Sequence, residues 1–296
     1  MTLFNILILI LVSVTLGGIS YGFFQKSITN YIDQVLLNKA IDAAQLADER
    51  IHRYILNIES VANFARIKSP TTSWKEKSDI LQEEMIRLNY LDMGIADING
   101  NLRFADGKEV DVSDRDYFLQ AKNGENFITE AFLSKSKGIM QIALSTPIKN
   151  EGQIVGVLVG FKHVDNLYSI VQDVHLGDTG YAFLLNEKGE LISHPQTDVI
   201  EKGEFTLEKI RDNTQLSGLA KVFEKMIAKD TGVDTYLFQG RKRHTSYAPL
   251  TMKNWSIAVT IDQTEMMHDV NQMGMYMLIL LAFVILMGVL YSMWLS

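Results

Sequence analysis

Few residues in this chain of 296 amino acids have the types and spacing that chemistry requires. There is no cysteine, which excludes disulfides, iron–sulfur clusters, thiolate metal sites and thiol nucleophiles. The six histidines are scattered without a His-x-x-x-His pair, so we expect no zinc site. No nucleophile elbow, phosphate-binding loop or dinucleotide fingerprint occurs. The sequence therefore predicts neither a familiar catalytic constellation nor a bound cofactor.

One motif is suited to ligand recognition, namely Arg115 followed by Tyr117 and Phe118. An arginine guanidinium is planar and binds a carboxylate through two parallel N–H groups. The alternative for the arginine is a structural ion pair, with Asp114, Asp116 or Glu130. The alternative for the two aromatic residues is a place in the hydrophobic core, as is common at the start of a helix.

A second motif, Asp97-Ile-Asn99-Gly100-Asn101, has oxygen-bearing side chains at alternate positions, as a calcium loop does. The EF-hand pattern needs its glycine one place later and a distal glutamate as well. Asn-Gly between two β-type runs is instead a strong signal for a hairpin turn. We therefore predict a turn here and no metal site.

Charged residues are distributed unevenly along the chain. The balance of 28 Lys and Arg against 35 Asp and Glu gives a net charge of −7. Because neutralising phosphates requires a surface of clustered Lys and Arg, we expect no nucleic-acid partner for this predominantly acidic chain. All of these charges lie between Lys26 and Asp269. The uncharged segments 1–25 and 270–296 each hold an apolar run that would be about 33 Å long as a helix, enough to cross a hydrocarbon core of about 30 Å.

We therefore predict a transmembrane helix at each end of the chain. The alternatives are a cleaved signal peptide for segment 1–25 and a buried core helix for segment 270–296. Two spans leave both termini on one side of the cell membrane and residues 26–269 on the other, as one domain. Because no basic residue follows the second apolar run, we also expect the natural chain to continue beyond it.

A long helix is predicted directly after the first span. From Gln25 to about Lys68 the chain has no proline or glycine, and apolar residues recur every three or four positions. Ser69-Pro70 would end this helix. Its apolar stripe either packs on its own domain or also pairs with a second chain, and we expect a homodimer through it.

The remaining segment changes from helical to β-type patterns. Ser73 and Glu76 form a capping box that predicts a second helix to about Asn89. From Asp92 onward, short β-type runs and turns occur twice in the same order, including one predicted strand at 127–133 and a strand at 154–161 that is apolar on both faces. This weak internal similarity predicts two modules with antiparallel sheets, stacked along the long helix.

This order of parts resembles the double Cache sensor domain of bacterial transmembrane receptors, over about residues 25–265. The pieces that carry the resemblance are Asp114–Phe118 with Ala121 and Gly124, Ser145–Ile148, Gly156–Gly160 with Asp165 and Leu167, and Gly180–Leu184 with Gly189 and His194-Pro195. The resemblance implies an α+β fold with a long N-terminal helix and two stacked PAS-like modules of antiparallel sheet, flanked by two transmembrane helices. In that layout residues 73–165 form the membrane-distal module and residues 166–262 the proximal one.

The function that the resemblance implies is extracytoplasmic sensing of a small molecule and signal transduction across the membrane. Such domains belong to chemoreceptors, sensor histidine kinases and membrane-bound diguanylate cyclases, and this portion would not itself be an enzyme. The alternative from a different class is a membrane-anchored extracytoplasmic enzyme or a structural adaptor.

The same resemblance implies a ligand pocket in the distal module. In a subset of the family that binds amino acids, the pocket uses an arginine, two aromatic residues, a tyrosine and an aspartate before a loop glycine, and an aspartate in the last distal strand. The corresponding positions here are Arg115, Tyr117, Phe118, Phe132, Ser134 and Phe161. Both aspartates are missing, and a buried α-ammonium group without a counter-charge is unfavourable. We therefore expect a small anionic or neutral ligand and not a free α-amino acid.

Overall fold

The computed structural model describes residues 2–134, 137–163, 171, 174, 176–195 and 205–294. Its helices are α1 (Thr2–Ala62), α2 (Ala65–Lys68), α3 (Trp74–Arg87), α4 (Asp116–Lys122), α5 (Leu207–Arg211), α6 (Ser217–Ile227), α7 (Gln263–Met266) and α8 (His268–Trp294). The strands of the first half are β1 (Asp92–Ala96), β2 (Asn101–Phe104), β3 (Glu109–Asp111), β4 (Phe127–Ile128), β5 (Phe132–Leu133), β6 (Met140–Asn150) and β7 (Gln153–His163). Those of the second half are β8 (Tyr181–Leu185), β9 (Leu191–Ser193), β10 (Gly232–Phe238), β11 (Arg241–Pro249) and β12 (Ser256–Asp262).

The long N-terminal helix is present and ends earlier than predicted. The 61 residues of α1 would form a rod of about 90 Å, and the short helix α2 follows after a break instead of one continuous helix to Lys68. Phe64 adopts an extended conformation in the break and packs against the core. The change of direction leaves Ile67 only 1% exposed. Burial of these two apolar side chains therefore outweighs the helical propensity of the segment.

One face of α1 packs against both halves of the chain. Ile51 and Ile58 from the predicted stripe are fully buried, and small residues such as Ala40 and Ala47 are buried on the same helix. The core cluster that contains them includes residues of the sheet from the first half and of the sheet from the second half. The small alanine side chains let the axis of α1 lie close to the strands, so that this one helix packs against both sheets.

The two sheets are antiparallel and repeat one topology. The first has the order β3-β2-β1-β7-β6-β4, with β5 also paired to β6, and the second has the order β10-β11-β12-β8-β9. In each half the first strand pairs with the last strand, and the last strand pairs with the one before it. The predicted internal repeat and the central position of β7 are therefore confirmed.

Local signals in the sequence predicted the turns and caps well. The Ser73 hydroxyl accepts from the Glu76 backbone N–H and the Glu76 carboxylate accepts from that of Ser73, so the capping box of α3 is confirmed. Gly100 has φ +98° in the turn between β1 and β2, and the Asp97 carboxylate accepts backbone N–H groups within that turn. The single strand predicted at 127–133 is wrong, because β4 and β5 are separate and residues 129–131 connect them.

The two sheets divide the chain into two halves. The first sheet is formed by residues 92–163 and the second by residues 181–262. The predicted boundary between a distal module 73–165 and a proximal module 166–262 lies outside the described residues and stays a prediction.

One segment within the described ranges is long and apolar enough, by length and composition, to cross a membrane. It is Gln263–Tyr291, whose most apolar stretch has a mean hydropathy of 2.6 and is only 6% buried. It overlaps the predicted second span.

Candidate ligand-binding site

A cavity of about 1120 Å³ lies on the face of the first sheet that is opposite α1. Side chains alternate along β7, so that Leu158 joins the core with α1 whereas Phe161 lines the cavity. The turn after β8 and the connection before β12 also line it, through residues 186–188 and 253–255. The cavity is therefore bounded by both halves of the chain.

Five of the six residues predicted for the site line this cavity, and they are Arg115, Tyr117, Phe132, Ser134 and Phe161. The sixth, Phe118, does not line the cavity; it is 1% exposed and packs in the hydrophobic cluster that also contains Tyr117 and Phe161. Consecutive residues of a helix point about 100° apart, so Tyr117 and Phe118 at the start of α4 point in different directions. For Phe118 the expectation of ligand contact is corrected in favour of a core position.

Arg115 immediately precedes α4 and is half-exposed at the cavity. Its Nε lies 3.3 Å from Oδ1 of Asp114, and 49% of its side chain is accessible to solvent. An ion pair this exposed contributes little, roughly 0–1 kcal/mol, so the guanidinium can change partners at low cost.

Aromatic side chains form the apolar wall. The rings of Tyr117 and Phe161 meet edge to face with 6.0 Å between their centroids, and Phe104 lies 5.9 Å from Phe161. The Ser145 hydroxyl donates to the Tyr117 carbonyl oxygen at 2.6 Å and anchors α4 on β6. Burial raises the pKa of Tyr117 to about 12, so its phenol stays neutral and can donate a hydrogen bond.

The positions Phe132, Ser134 and Phe161 carry no charge, but a carboxylate from another strand lines the cavity beside them. Asp92 of β1 stands directly opposite Phe161 of β7 in the strand register, and both line the cavity. Antiparallel pairing thus brings a carboxylate beside the position where an aspartate is missing. Lys137 neutralises it, with 3.2 Å between its Nζ and Oδ2 of Asp92. Burial raises the pKa of the Asp92 carboxyl, and the nearby Lys137 opposes that shift.

Charges of both signs surround the cavity. The carboxylates that line it are Asp92, Asp106, Asp111, Asp116, Glu130 and Glu187, and the cationic side chains are Lys108, Arg115, Lys137, Lys188 and Lys253. Six acids against five bases leave the lining nearly neutral. Among the described residues, no group of three or more His, Asp or Glu side chains is placed to hold a metal ion.

The floor of the cavity joins the two halves of the chain. The Trp255 indole Nε1–H donates to Oε1 of Glu130 at 2.7 Å, and the Lys253 ammonium lies 4.7 Å above the Phe127 ring. Burial raises the pKa of Glu130 and lowers that of Lys253. Sequence reasoning considered Glu130 only as a partner of Arg115 and missed Lys253 and Trp255, because nothing local indicates that these distant segments meet.

Comparison with known proteins agrees with this architecture. The family model described as "Cache domain" matches residues 20–270. The methyl-accepting chemotaxis protein McpA of Pseudomonas putida is 27% identical over 161 residues, which cover 53% of this chain and 23% of that protein. The methyl-accepting chemotaxis protein TlpA of Bacillus subtilis is 21% identical over 278 residues, which cover 88% of this chain and 38% of TlpA.

A solved structure has the same fold. It is the ligand-binding domain of the Pseudomonas fluorescens chemoreceptor CtaA in complex with L-isoleucine, with a TM-score of 0.62 and 19% identity over 81% of this chain and 96% of that one. The chain therefore belongs to the double Cache family of sensor domains. It spans between about a quarter and two fifths of the length of these two chemotaxis proteins.

Proposed function

We propose that this chain is the sensing and membrane-spanning portion of a chemoreceptor, which binds a small molecule outside the cytoplasm and transmits the signal across the membrane. The observation that carries the proposal is the cavity, where a family-typical arginine and aromatic wall come together at the junction of two sheets. A ligand there contacts both halves of the chain, so binding can favour one packing of the two halves over another.

The proposed arrangement in the membrane has two spans, residues 1–25 and 270–296, with residues 26–269 as the extracytoplasmic sensor. In support, the two apolar segments pack side by side. A Cβ atom at Gly17 would lie 2.5 Å from Cδ2 of Leu281, and one at Gly274 would lie 3.2 Å from the Tyr21 ring. Small residues at such contacts let two helices approach closely in lipid.

The proposed ligand is a small anionic or neutral molecule whose carboxylate or other hydrogen-bond acceptor is bound by Arg115. Tyr117 and Phe161 supply an apolar wall with one phenolic hydroxyl group. Phe132 and Ser134 complete the side of the cavity next to β6. The solved relative binds L-isoleucine, a molecule of the size that this wall can cover.

The test begins with a screen for ligands. The full chain in detergent is screened by thermal shift against carboxylates, amino acids, amines, sugars and nucleobases, and the best compound is then titrated calorimetrically. We expect Arg115→Ala to weaken an anionic ligand by about tenfold, because the variant loses a charge-assisted contact. The melting temperature of the free protein should change little, since the ion pair of Arg115 is exposed.

The matched control is Arg103→Ala. Arg103 also forms a surface ion pair, 3.5 Å from Glu109, and 44% of its side chain is exposed. It should leave ligand affinity unchanged. An anionic ligand that binds wild type and Arg115→Ala equally, or a protein that no compound stabilises, would show that the proposed site is wrong.

We further propose that the chain forms a homodimer through α1. Apolar side chains remain exposed on this helix, and Tyr31 and Leu56 are 65% and 48% exposed. Val35 and Leu56 lie three heptads apart, hence on one stripe. Since the chain has no cysteine, a disulfide formed by a single Val35→Cys or Leu56→Cys variant can only join two copies of the chain. Disulfide-linked dimers of both variants on mild oxidation are expected, whereas monomers at all concentrations would contradict the dimer.

This portion is proposed to sense and not to catalyse. The purified chain should show no turnover of ester, phosphate or glycoside substrates. Reproducible turnover that a single substitution abolishes would favour the enzyme alternative.

A further inference from the structure

The cavity contains a carboxylate that the protein itself neutralises. Asp92 at the start of β1 has 21% of its side chain exposed, and the Lys137 ammonium lies 3.2 Å from its Oδ2 atom. The same ammonium donates to the Leu91 carbonyl oxygen at 3.1 Å. Lys137 therefore has two oxygen partners, both at the beginning of one strand.

Hydrogen bonds connect the backbone of Lys137 and of the two residues after it to Ser134. The Ser134 hydroxyl accepts from the Lys137 backbone N–H at 3.3 Å. The Ser134 carbonyl accepts from Gly138 at 2.8 Å, and the Ser134 N–H donates to Ile139 at 2.8 Å. Ser134 is only 5% exposed, so these hydrogen bonds are made to a buried residue. These bonds hold Lys137 on the rim of the cavity, from which its side chain reaches Asp92.

A partly buried carboxylate in a cavity needs a counter-charge, which either the ligand or the protein must supply. A tethered cation has an advantage, because its effective concentration at the site is high and it loses no translational freedom on pairing. The negative charge of Asp106 also acts on Asp92, so a cation at this point is favoured further. A ligand ammonium that pairs with Asp92 has either to displace Lys137 or to lie beside it, next to a second positive charge.

We propose that Lys137 is a built-in counter-ion that occupies the cation position of the cavity, so that the cavity selects small carboxylates without an amino group over the corresponding α-amino acids. The inference rests on the proposed sensor function and specifies its ligand class. Arg115 binds the ligand carboxylate, and Lys137 stands where an amino acid would need to place its ammonium group.

The experiment uses two matched pairs of probes, propanoate with L-alanine and 4-methylpentanoate with L-leucine. Each pair differs by one amino group. The full chain in detergent is titrated calorimetrically with all four compounds. Wild type should prefer the carboxylate of each pair. Lys137→Ala should raise the affinity for each amino acid, relative to its carboxylate partner, by about tenfold or more. The reason is that Asp92 then has no Lys137 counter-ion and can pair with the ligand ammonium.

Further variants separate specificity from damage to the fold. Lys137→Arg keeps a cation and should keep the wild-type preference, and Lys137→Gln should behave like Lys137→Ala. Adding Asp92→Asn to Lys137→Ala should abolish the gain. Lys149→Ala removes an exposed lysine of β6 that does not line the cavity and should leave the preference unchanged. Thermal unfolding of every variant checks that the domain remains folded.

Two results would overturn the inference, namely a wild type that prefers the amino acids, or a Lys137→Ala variant that gains no affinity for them. If a ligand still binds in an Arg115-dependent way, only the role of Lys137 is wrong. If no compound binds wild type or any variant in an Arg115-dependent way, the sensor proposal fails with it.

Discussion

Lys162 of β7 is a buried cation without an acidic partner among the described residues. It is 2% exposed, and its ammonium donates to the Leu88 carbonyl oxygen and, at 3.0 Å, to that of Asn89. It also lies 4.1 Å above the Tyr90 ring and 5.3 Å above the Tyr54 ring. Carbonyl oxygens and ring faces only partly replace water around a charge, and burial lowers the pKa of Lys162 to about 8.

The direction of the resulting pH dependence follows from this pKa. An unfolded lysine keeps its proton to about pH 10.4, whereas Lys162 in the folded chain begins to release its proton near pH 8. Between these values the unfolded state binds more protons, so the free energy of unfolding rises with pH. Relative to a variant without this amine, wild type should gain about 1 kcal/mol by pH 9 and about 2–3 kcal/mol by pH 10.

The assay compares wild type with Lys162→Met by urea unfolding of the full chain in detergent, followed by tryptophan fluorescence from pH 7 to pH 10. Loss of hydrogen bonds to the Leu88 and Asn89 carbonyls gives a constant offset, so only the change in the difference with pH carries the test. Lys149→Met, which replaces an exposed lysine of β6, is the matched control and should follow wild type at every pH. Parallel curves for wild type and Lys162→Met would refute the reasoning, because the buried amine would then have an ordinary pKa.

Two further predictions concern backbone and inter-module contacts. Both Gly100 and Gly107 have positive φ, and Gly107→Ala should lower the free energy of unfolding by about 1–2 kcal/mol for that reason. Gly100→Ala should lower it further, because a Cβ atom there would also lie 2.6 Å from the Ser113 backbone. Equal urea midpoints for the two variants would contradict this. Glu130→Ala should cost about 1–3 kcal/mol by leaving the indole N–H of Trp255 buried without an acceptor, whereas Glu130→Gln retains an acceptor and should cost less. A Gln variant as unstable as the Ala variant would show that the charge of Glu130, and not its hydrogen bond, matters for stability.

Features that depend on a few neighbouring residues can be predicted from the sequence alone. The capping box at Ser73 and the Asn99-Gly100 turn follow from local hydrogen bonding and from the freedom of glycine at positive φ. The long helix and the central position of β7 follow from runs of residues whose periodicity is unambiguous. The order of these local elements was also enough to recognise the double Cache family and to select five residues that line one cavity.

Features that depend on contacts between distant segments cannot be predicted in this way. Helix α1 ends at Ala62 because Phe64 and Ile67 find a core that only the folded sheets provide. Phe118 turns into the core because α4 begins one residue after Arg115, which sets the direction of each side chain. Asp92 reaches the cavity through its pairing with β7, and Lys137, from a distant part of the chain, forms an ion pair with Asp92. The charge of the cavity is thus a property of strand register, because residues far apart in the chain become neighbours only when the sheet has formed.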